Sequence, residues 1–224
     1  ERYLADLEEE LPEVDKYYGV NDLERIVNDL GYKYQQEKLL HRLHTTKPHY
    51  AYLKIAEGCD RRCAFCAIPM IRGNQVSKPI EALVEQARYL SDQGVKEMIL
   101  ISQELTRYGI DIYKKPQLVR LVKELEKVSG IEWIRLHYTY PNLFDDDLIK
   151  AIADSEKVCS YLDMPFQHFN DKVLKMMKRG HTASEGYKLI DRIRKSIPDI
   201  AFRTTLLVGH PGEDEHAFNE LFDA

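Results

Sequence analysis

The sequence predicts an α/β protein in which helices cover a sheet of parallel strands. Three observations point that way. Strand-like and helix-like stretches alternate five times at roughly 30-residue spacing, as β-α-β units do. The strand-like stretches are mostly continuous apolar runs, the pattern of parallel strands buried on both faces. Each run ends in polar residues, and the strand ends are where parallel α/β sheets gather their functional side chains.

Leu4, Leu7 and Leu11 have helical spacing and Pro12 follows. Asn21 is placed to cap a second helix over 22–30, with Gly31 as its stop. Residues 32–47, with His41, Arg42, His44 and Lys47, are polar and basic and read as an exposed connection. A core inside so short a segment would be marginal. Residues 1–47 therefore read as the tail of a further N-terminal domain plus a linker, and 48–224 as the main domain. There the first strand runs over 50–55, and Pro79 opens a helix that Gly94 ends. Strand 95–101, helix 117–128, strand 133–138 and helix 145–153 follow, the last with acid at its start as the helix dipole favours. Strand 161–164, helices 171–177 and 184–196, strand 201–208 and a helix from Asp214 complete the pattern. The sheet is either an open doubly wound one or part of a barrel.

The chain has 224 residues, 44% hydrophobic and 31% charged, ordinary values for a soluble globular protein. A net charge of −5 argues against nonspecific coating of nucleic acid but leaves room for a local basic patch. No apolar run approaches the roughly 20 residues that span a bilayer. The chain opens on Glu1 with no signal-peptide pattern, and reads as a piece of something longer.

Three of the four cysteines fall in Cys59-Asp60-Arg61-Arg62-Cys63-Ala64-Phe65-Cys66, spaced C-x3-C-x2-C directly after the first strand; the fourth is Cys159. Three thiolates on one tight loop can hold three irons of a cubane cluster and leave the fourth iron open to a small molecule. The competing reading is structural zinc, which prefers four N/S ligands in two close pairs, and no second pair exists. Clustered free cysteines suit a reducing cytoplasm, and a disulfide framework fits poorly. Cys159 reads as a small buried hydrophobe.

The cysteine loop, with an aromatic before its last cysteine and a strand before its first, resembles that of the radical S-adenosylmethionine enzymes. The stretch from Glu57 to Gly73, Ser77-Lys78-Pro79, and Arg203 to Glu213 resemble their methylthiotransferases. Ile101-Ser102-Gln103-Glu104-Leu105 is similar to the branch that acts on a small-subunit ribosomal protein; the tRNA-modifying branch has a Gly-Gln-Asn run there. The resemblance covers about 48–224. It implies a partial (β/α) barrel and a [4Fe–4S] cluster on Cys59, Cys63 and Cys66. It also implies S-adenosylmethionine on the open iron, cleaved to a 5′-deoxyadenosyl radical, and methylthiolation of an aspartyl β-carbon. A second cluster is implied in an upstream domain whose three cysteines are not in this sequence, and a small RNA-binding β domain after the core. The sequence therefore reads as a catalytic core, truncated before a sixth strand, that by itself would not complete the reaction. The tRNA-modifying branch, or a zinc-stabilised RNA-binding module without catalysis, are the alternatives.

Four further residues are candidates for holding the cofactor. Gln103 and Gln167, at strand ends, can hydrogen-bond it or serve loop structure. Phe65 can lay its backbone beside the adenine or pack the loop. Arg203, inside the last strand, is expected to be buried and so to need a carboxylate, either the cofactor's or that of Asp163. Gly209-His210-Pro211-Gly212 is a tight turn that can bring backbone close to the adenosine, and His168 reads as structural. Asn170 and His210 stand where the family commonly has serine and phenylalanine. Arg61, Arg62, Arg72 and Lys78 form a basic set that suits either a solvated loop or docking of ribosomal RNA near the target protein.

Overall fold

The structure is a computed structural model in which residues 3–20, 22–35, 45 and 47–224 are described. At the N-terminus, α1 (Leu4–Glu10) and α2 (Leu23–Asp29) form as expected, yet neither buries a side chain. The expected cap Asn21 and most of the basic connection, including His41, Arg42 and His44, lie outside the described residues.

From Tyr50 onward the elements are β1 (Tyr50–Lys54), β2 (Ala56–Glu57), α3 (Ile68–Arg72), β3 (Val76–Ser77), α4 (Ile80–Asp92) and β4 (Glu97–Ile101). Then come α5 (Ile110–Tyr113), α6 (Leu118–Glu126), β5 (Trp133–Leu136), α7 (Asp146–Ala153) and β6 (Val158–Asp163). The chain continues through α8 (Asp171–Met176), α9 (Ala183–Ser196), β7 (Ala201–Arg203) and α10 (Glu215–Asp223). Local chemistry explains the helix starts. Asp145 accepts the Leu148 N–H at the head of α7, and Thr182 and Glu185 form a reciprocal capping box on α9. Asn170 accepts the Val173 N–H of α8, a capping role that asparagine and serine fill equally well.

Five strands make one parallel sheet in the order β1-β4-β5-β6-β7. Strand order equals chain order. A doubly wound sheet needs a point where that order reverses, and there is none, so the partial barrel is the correct alternative. Winding in one direction puts the helices on one face, where α4, α6, α7 and α9 pack on one another in succession. Their core includes Leu53, Leu83, Leu100, Leu121, Ile134, Leu136 and Leu162.

In β4, Met98, Ile99 and Leu100 are all buried, but other strands are not buried on both faces as their apolar character suggests. In β1, Ala51 and Leu53 are buried while Tyr52 is exposed; in β5, Ile134 and Leu136 are buried while Trp133 is exposed. The helix-free face carries aromatic and charged side chains, among them Arg135, which pairs with Glu97 at 2.5 Å and lies over the Tyr161 ring. Cys159 is near Arg135 and Glu97 and only half-buried, which corrects its reading as a core hydrophobe. The last strand is also shorter than expected. After Arg203 the chain leaves the sheet and runs beside Gln167, whose N–H donates to Thr205 O at 2.9 Å and whose carbonyl accepts from Leu207 at 2.8 Å. Among the described residues, no helix is long and apolar enough to cross a membrane.

Candidate functional site

The cysteine loop is a closed excursion from the end of β1. The short antiparallel pair of β2 and β3 joins its two ends, with Ala56 opposite Ser77 and Glu57 opposite Val76. Cys59 N–H donates to Gly73 O at 3.1 Å and Gln75 N–H to Asp60 Oδ1 at 3.1 Å, just inside that neck. Asp111, from α5, accepts the Ser77 N–H at 2.7 Å and ties the neck to the loop after β4. At the other end of the excursion, Ala64 N–H donates to Met177 O at 3.0 Å and Cys66 N–H to Cys63 O at 3.0 Å. Backbone hydrogen bonds thus fix the loop on both sides of the cysteines.

Cys59 and Cys63 are buried and Cys66 is half-buried; none is in a disulfide. Burial pushes the Cys59 thiol up, so it stays protonated until a metal displaces the proton. Among the described residues, no three His, Cys, Asp or Glu side chains converge closely enough to hold a single metal ion. Three thiols spread over one loop suit a polynuclear cluster, in which each thiolate meets its own iron. A cluster also brings negative charge, and the structure provides for it. Arg179, buried beside the loop, reaches Cys63 Sγ at 3.5 Å and leaves its Nε without a partner.

The other sequence candidates fall into two groups. Gln103, with Ser102, lies beside the loop's base. Its Nε2 donates to Glu57 Oε1 at 3.0 Å, while its own Oε1 and the Ser102 hydroxyl are buried without partners. Both line a cavity of about 380 Å³ with Lys54, Ile68, Ile101 and Tyr138. Phe65 is 40% exposed at the loop tip, so it is not packing the loop. Arg203 and Gln167 belong to β7 and to the loop after β6, at the opposite edge of the sheet. Arg203 is not the buried arginine expected: its side chain is 58% exposed. It does bond the fully buried Asp163 at 3.0 Å, and Asp163 Oδ1 remains unpartnered. Free acceptors on Ser102, Gln103 and Asp163 along one rim fit a ligand that carries amino and hydroxyl groups.

His168 is structural, as read from the sequence. Its Nδ1 accepts from the N–H groups of Phe169 (3.0 Å) and Asn170 (2.9 Å), so the proton sits on Nε2 and points at Glu213 Oε1, 3.2 Å away. Glu213 also accepts from Gly209 and His210 and so fixes the 209–212 turn. Burial alone would raise the Glu213 carboxyl, but these donors hold it below the ordinary glutamate range. The stability it contributes is full above that range and is lost as pH falls through the depressed folded value. His168→Asn keeps the near acceptor and removes the far donor. It is expected to cost about 1–2 kcal/mol and to speed amide exchange at Gly209 and His210. Unaltered exchange there would show that the turn does not depend on this bond.

Of the basic set, Arg61 is not available to a partner. It pairs with the buried Glu104 at 2.9 Å and stacks on Tyr140, whereas Arg62, Arg72 and Lys78 stay exposed. Sequence reasoning places Glu104 and Tyr140 at polar strand ends without giving them a role, and misses Arg179. Arg179 meets Cys63 across 116 positions, and nothing in its neighbourhood of Lys178 and Gly180 marks it.

A family model described as the radical SAM superfamily matches residues 53–224. The ribosomal protein uS12 methylthiotransferase RimO of Bacteroides thetaiotaomicron is 49% identical over 221 residues, 99% of this chain and 51% of that protein. The protein of the same name from Christiangramia forsetii is 52% identical, over 99% of this chain and 49% of its own length. The chain thus spans about half the length of the curated relatives it matches. Among solved structures, the methyltransferase TsrM from Kitasatospora setae, with cobalamin and a [4Fe-4S] cluster bound, superposes with a TM-score of 0.63 at 18% identity, over 78% of this chain and 34% of its own. Methylornithine synthase PylB gives 0.54 at 14% identity, over 92% and 60%. At such identities the likeness is one of fold, and that fold is the singly wound parallel sheet described above. Since the family model covers most of its length, the chain belongs to the radical SAM superfamily.

Proposed function

We propose that this chain is the radical-generating core of an enzyme that methylthiolates the β-carbon of an aspartate in a small-subunit ribosomal protein. The observation that carries the reading is 49% and 52% identity, over 99% of the chain, with relatives named as methylthiotransferases of ribosomal protein uS12. Residues 48–224 are the catalytic core, and 1–47 belong to a preceding domain and its linker. Cys59, Cys63 and Cys66 hold a [4Fe–4S] cluster with one iron left for S-adenosylmethionine. When bound, the two supply a one-electron cleavage that yields a radical able to take hydrogen from an unactivated C–H bond.

The chain's own residues prepare that chemistry. The neck at β2 and β3 holds the three thiols in place before any metal arrives, and the burial of Cys59 and Cys63 keeps water from them. Gln103, anchored through its amide nitrogen to Glu57, offers its free oxygen to a donor on the cofactor. Further along the same rim Asp163 offers Oδ1, and Arg203, held by the other oxygen, is placed for a carboxylate. Gln167 offers its amide beside them, and Phe65 presents its backbone to the adenine. The exposed Arg62, Arg72 and Lys78 meet ribosomal RNA phosphates around the target protein. A second cluster that donates sulfur belongs to the part of the relatives' length outside the matched half, and the enzyme works in the cytoplasm.

Anaerobic reconstitution is expected to load about four irons per chain, as one cubane requires, and the reduced protein to cleave S-adenosylmethionine. Iron-loaded, reduced protein that leaves S-adenosylmethionine intact would refute the reading. Deleting the gene should remove the methylthio mass from the ribosomal protein and leave tRNA unchanged; the reverse would move the substrate to tRNA.

A further inference from the structure

Arg179 follows α8 and is only 5% exposed. Burying a guanidinium is costly unless a counter-charge accompanies it. Its Nη2 donates to Pro165 O at the end of β6, its Nη1 reaches Cys63 Sγ at 3.5 Å, and its Nε has no partner. Among the described residues it forms no ion pair. One side of it lies against the Tyr140 ring, 4.2 Å from the centroid, and the Tyr140 hydroxyl donates to its carbonyl. The Arg61 guanidinium is 4.0 Å from the same centroid. Two planar cations that close to one ring occupy its opposite faces.

The surrounding charges do not balance. Arg61 pairs with Glu104 at 2.9 Å, and Arg107 shares Glu104 at 3.9 Å and Asp60 at 3.3 Å. Three guanidiniums thus face two carboxylates. The surplus positive charge is that of Arg179, and the group it touches is a cysteine sulfur.

We infer that Arg179 is the counter-charge and potential-setting residue of the cluster on Cys59, Cys63 and Cys66, an inference that rests on the cluster assignment made above. A [4Fe–4S] cluster held there would gain one negative charge on one-electron reduction by a low-potential donor. A cation and hydrogen-bond donor at a ligand sulfur favours that more negative state and so raises the reduction potential. No bond forms or breaks at Arg179, which keeps its proton throughout. Through Pro165 the same side chain ties the cysteine loop to the rim at β6. Arg61, largely neutralised by Glu104 and separated by the Tyr140 ring, acts in the same direction and more weakly.

The test uses the full chain, reconstituted anaerobically, with iron content and the midpoint potential from an EPR-monitored dithionite titration. Arg179→Gln is expected to load iron but to be at least tenfold harder to reduce, a shift of about 59 mV for a one-electron couple. Arg179→Lys, which keeps the charge, should recover more than half of that shift, and Arg61→Gln should show a smaller one of the same sign. An unchanged potential in iron-loaded Arg179→Gln overturns the inference. If that variant does not fold, unchanged potentials in both Arg179→Lys and Arg61→Gln overturn it instead. Absence of iron from the unaltered chain is read before any variant and overturns the cluster assignment itself.

Discussion

Replacing Cys63 by alanine is expected to abolish cluster binding while leaving the fold in place. The main-chain bonds that hold the loop, from Ala64 to Met177 and from Cys66 to Cys63, do not involve the sulfur. Two thiols would remain, one of them only half-buried, and Arg179 would face a methyl group with its charge unanswered. Iron should fall from about four per chain to near background after anaerobic reconstitution, with the visible absorbance of the cluster lost. Loss of one sulfur from a buried site removes little packing, about 1 kcal/mol, so the melting transition should stay cooperative. Cys159→Ala is the control: that thiol sits on the helix-free face beside Arg135 and Glu97, and its loss should leave iron content unchanged. Full iron in Cys63→Ala would mean that another residue supplies the third ligand.

The contrast between those two cysteines shows what the sequence could reveal. Spacing and a preceding strand identify Cys59, Cys63 and Cys66, because both are local properties. Helix starts near 145, 171 and 184 are legible for the same reason, and the structure supplies their caps at Asp145, Asn170 and Thr182, each acting over three residues. The sheet order is not local, so the choice between a doubly wound sheet and a partial barrel stayed open until the strands were seen to neighbour one another in chain order. The burial of Arg203 was misjudged on the same count. Strand pairing sets Arg203 beside Asp163 with its side chain 58% exposed, and that placement is not a local property of the sequence. The candidate site divides in the same way. The sequence shows the ligands, whereas the charges that answer them, Arg179 and the Arg61–Glu104 pair, come together through contacts 43 and 116 positions apart.

Gly58→Ala should be the most damaging single-methyl change in the molecule. Gly58 has φ of +79°, a conformation that costs a side-chain-bearing residue about 1–3 kcal/mol. Its added Cβ would also meet backbone, 2.7 Å from Asn74 C and 2.8 Å from Gly73 O, and would come closest to Asn74 O. Relief requires residues 73–74 to move, and Gly73 O is the acceptor of the Cys59 N–H. The strain therefore falls on the neck that sets the thiols. Gly94→Ala separates the two effects: its φ is +88°, but nothing lies within 4 Å of the added carbon. Both variants bear the conformational cost, and only Gly58→Ala bears the collision, a further 1–3 kcal/mol or about that. Thermal melts should rank them in that order, and anaerobic reconstitution should load iron fully into Gly94→Ala and poorly into Gly58→Ala. Equal stability and equal loading in the two would mean that the loop yields at 73–74, and that its neck does not hold the thiols in position before the metal binds.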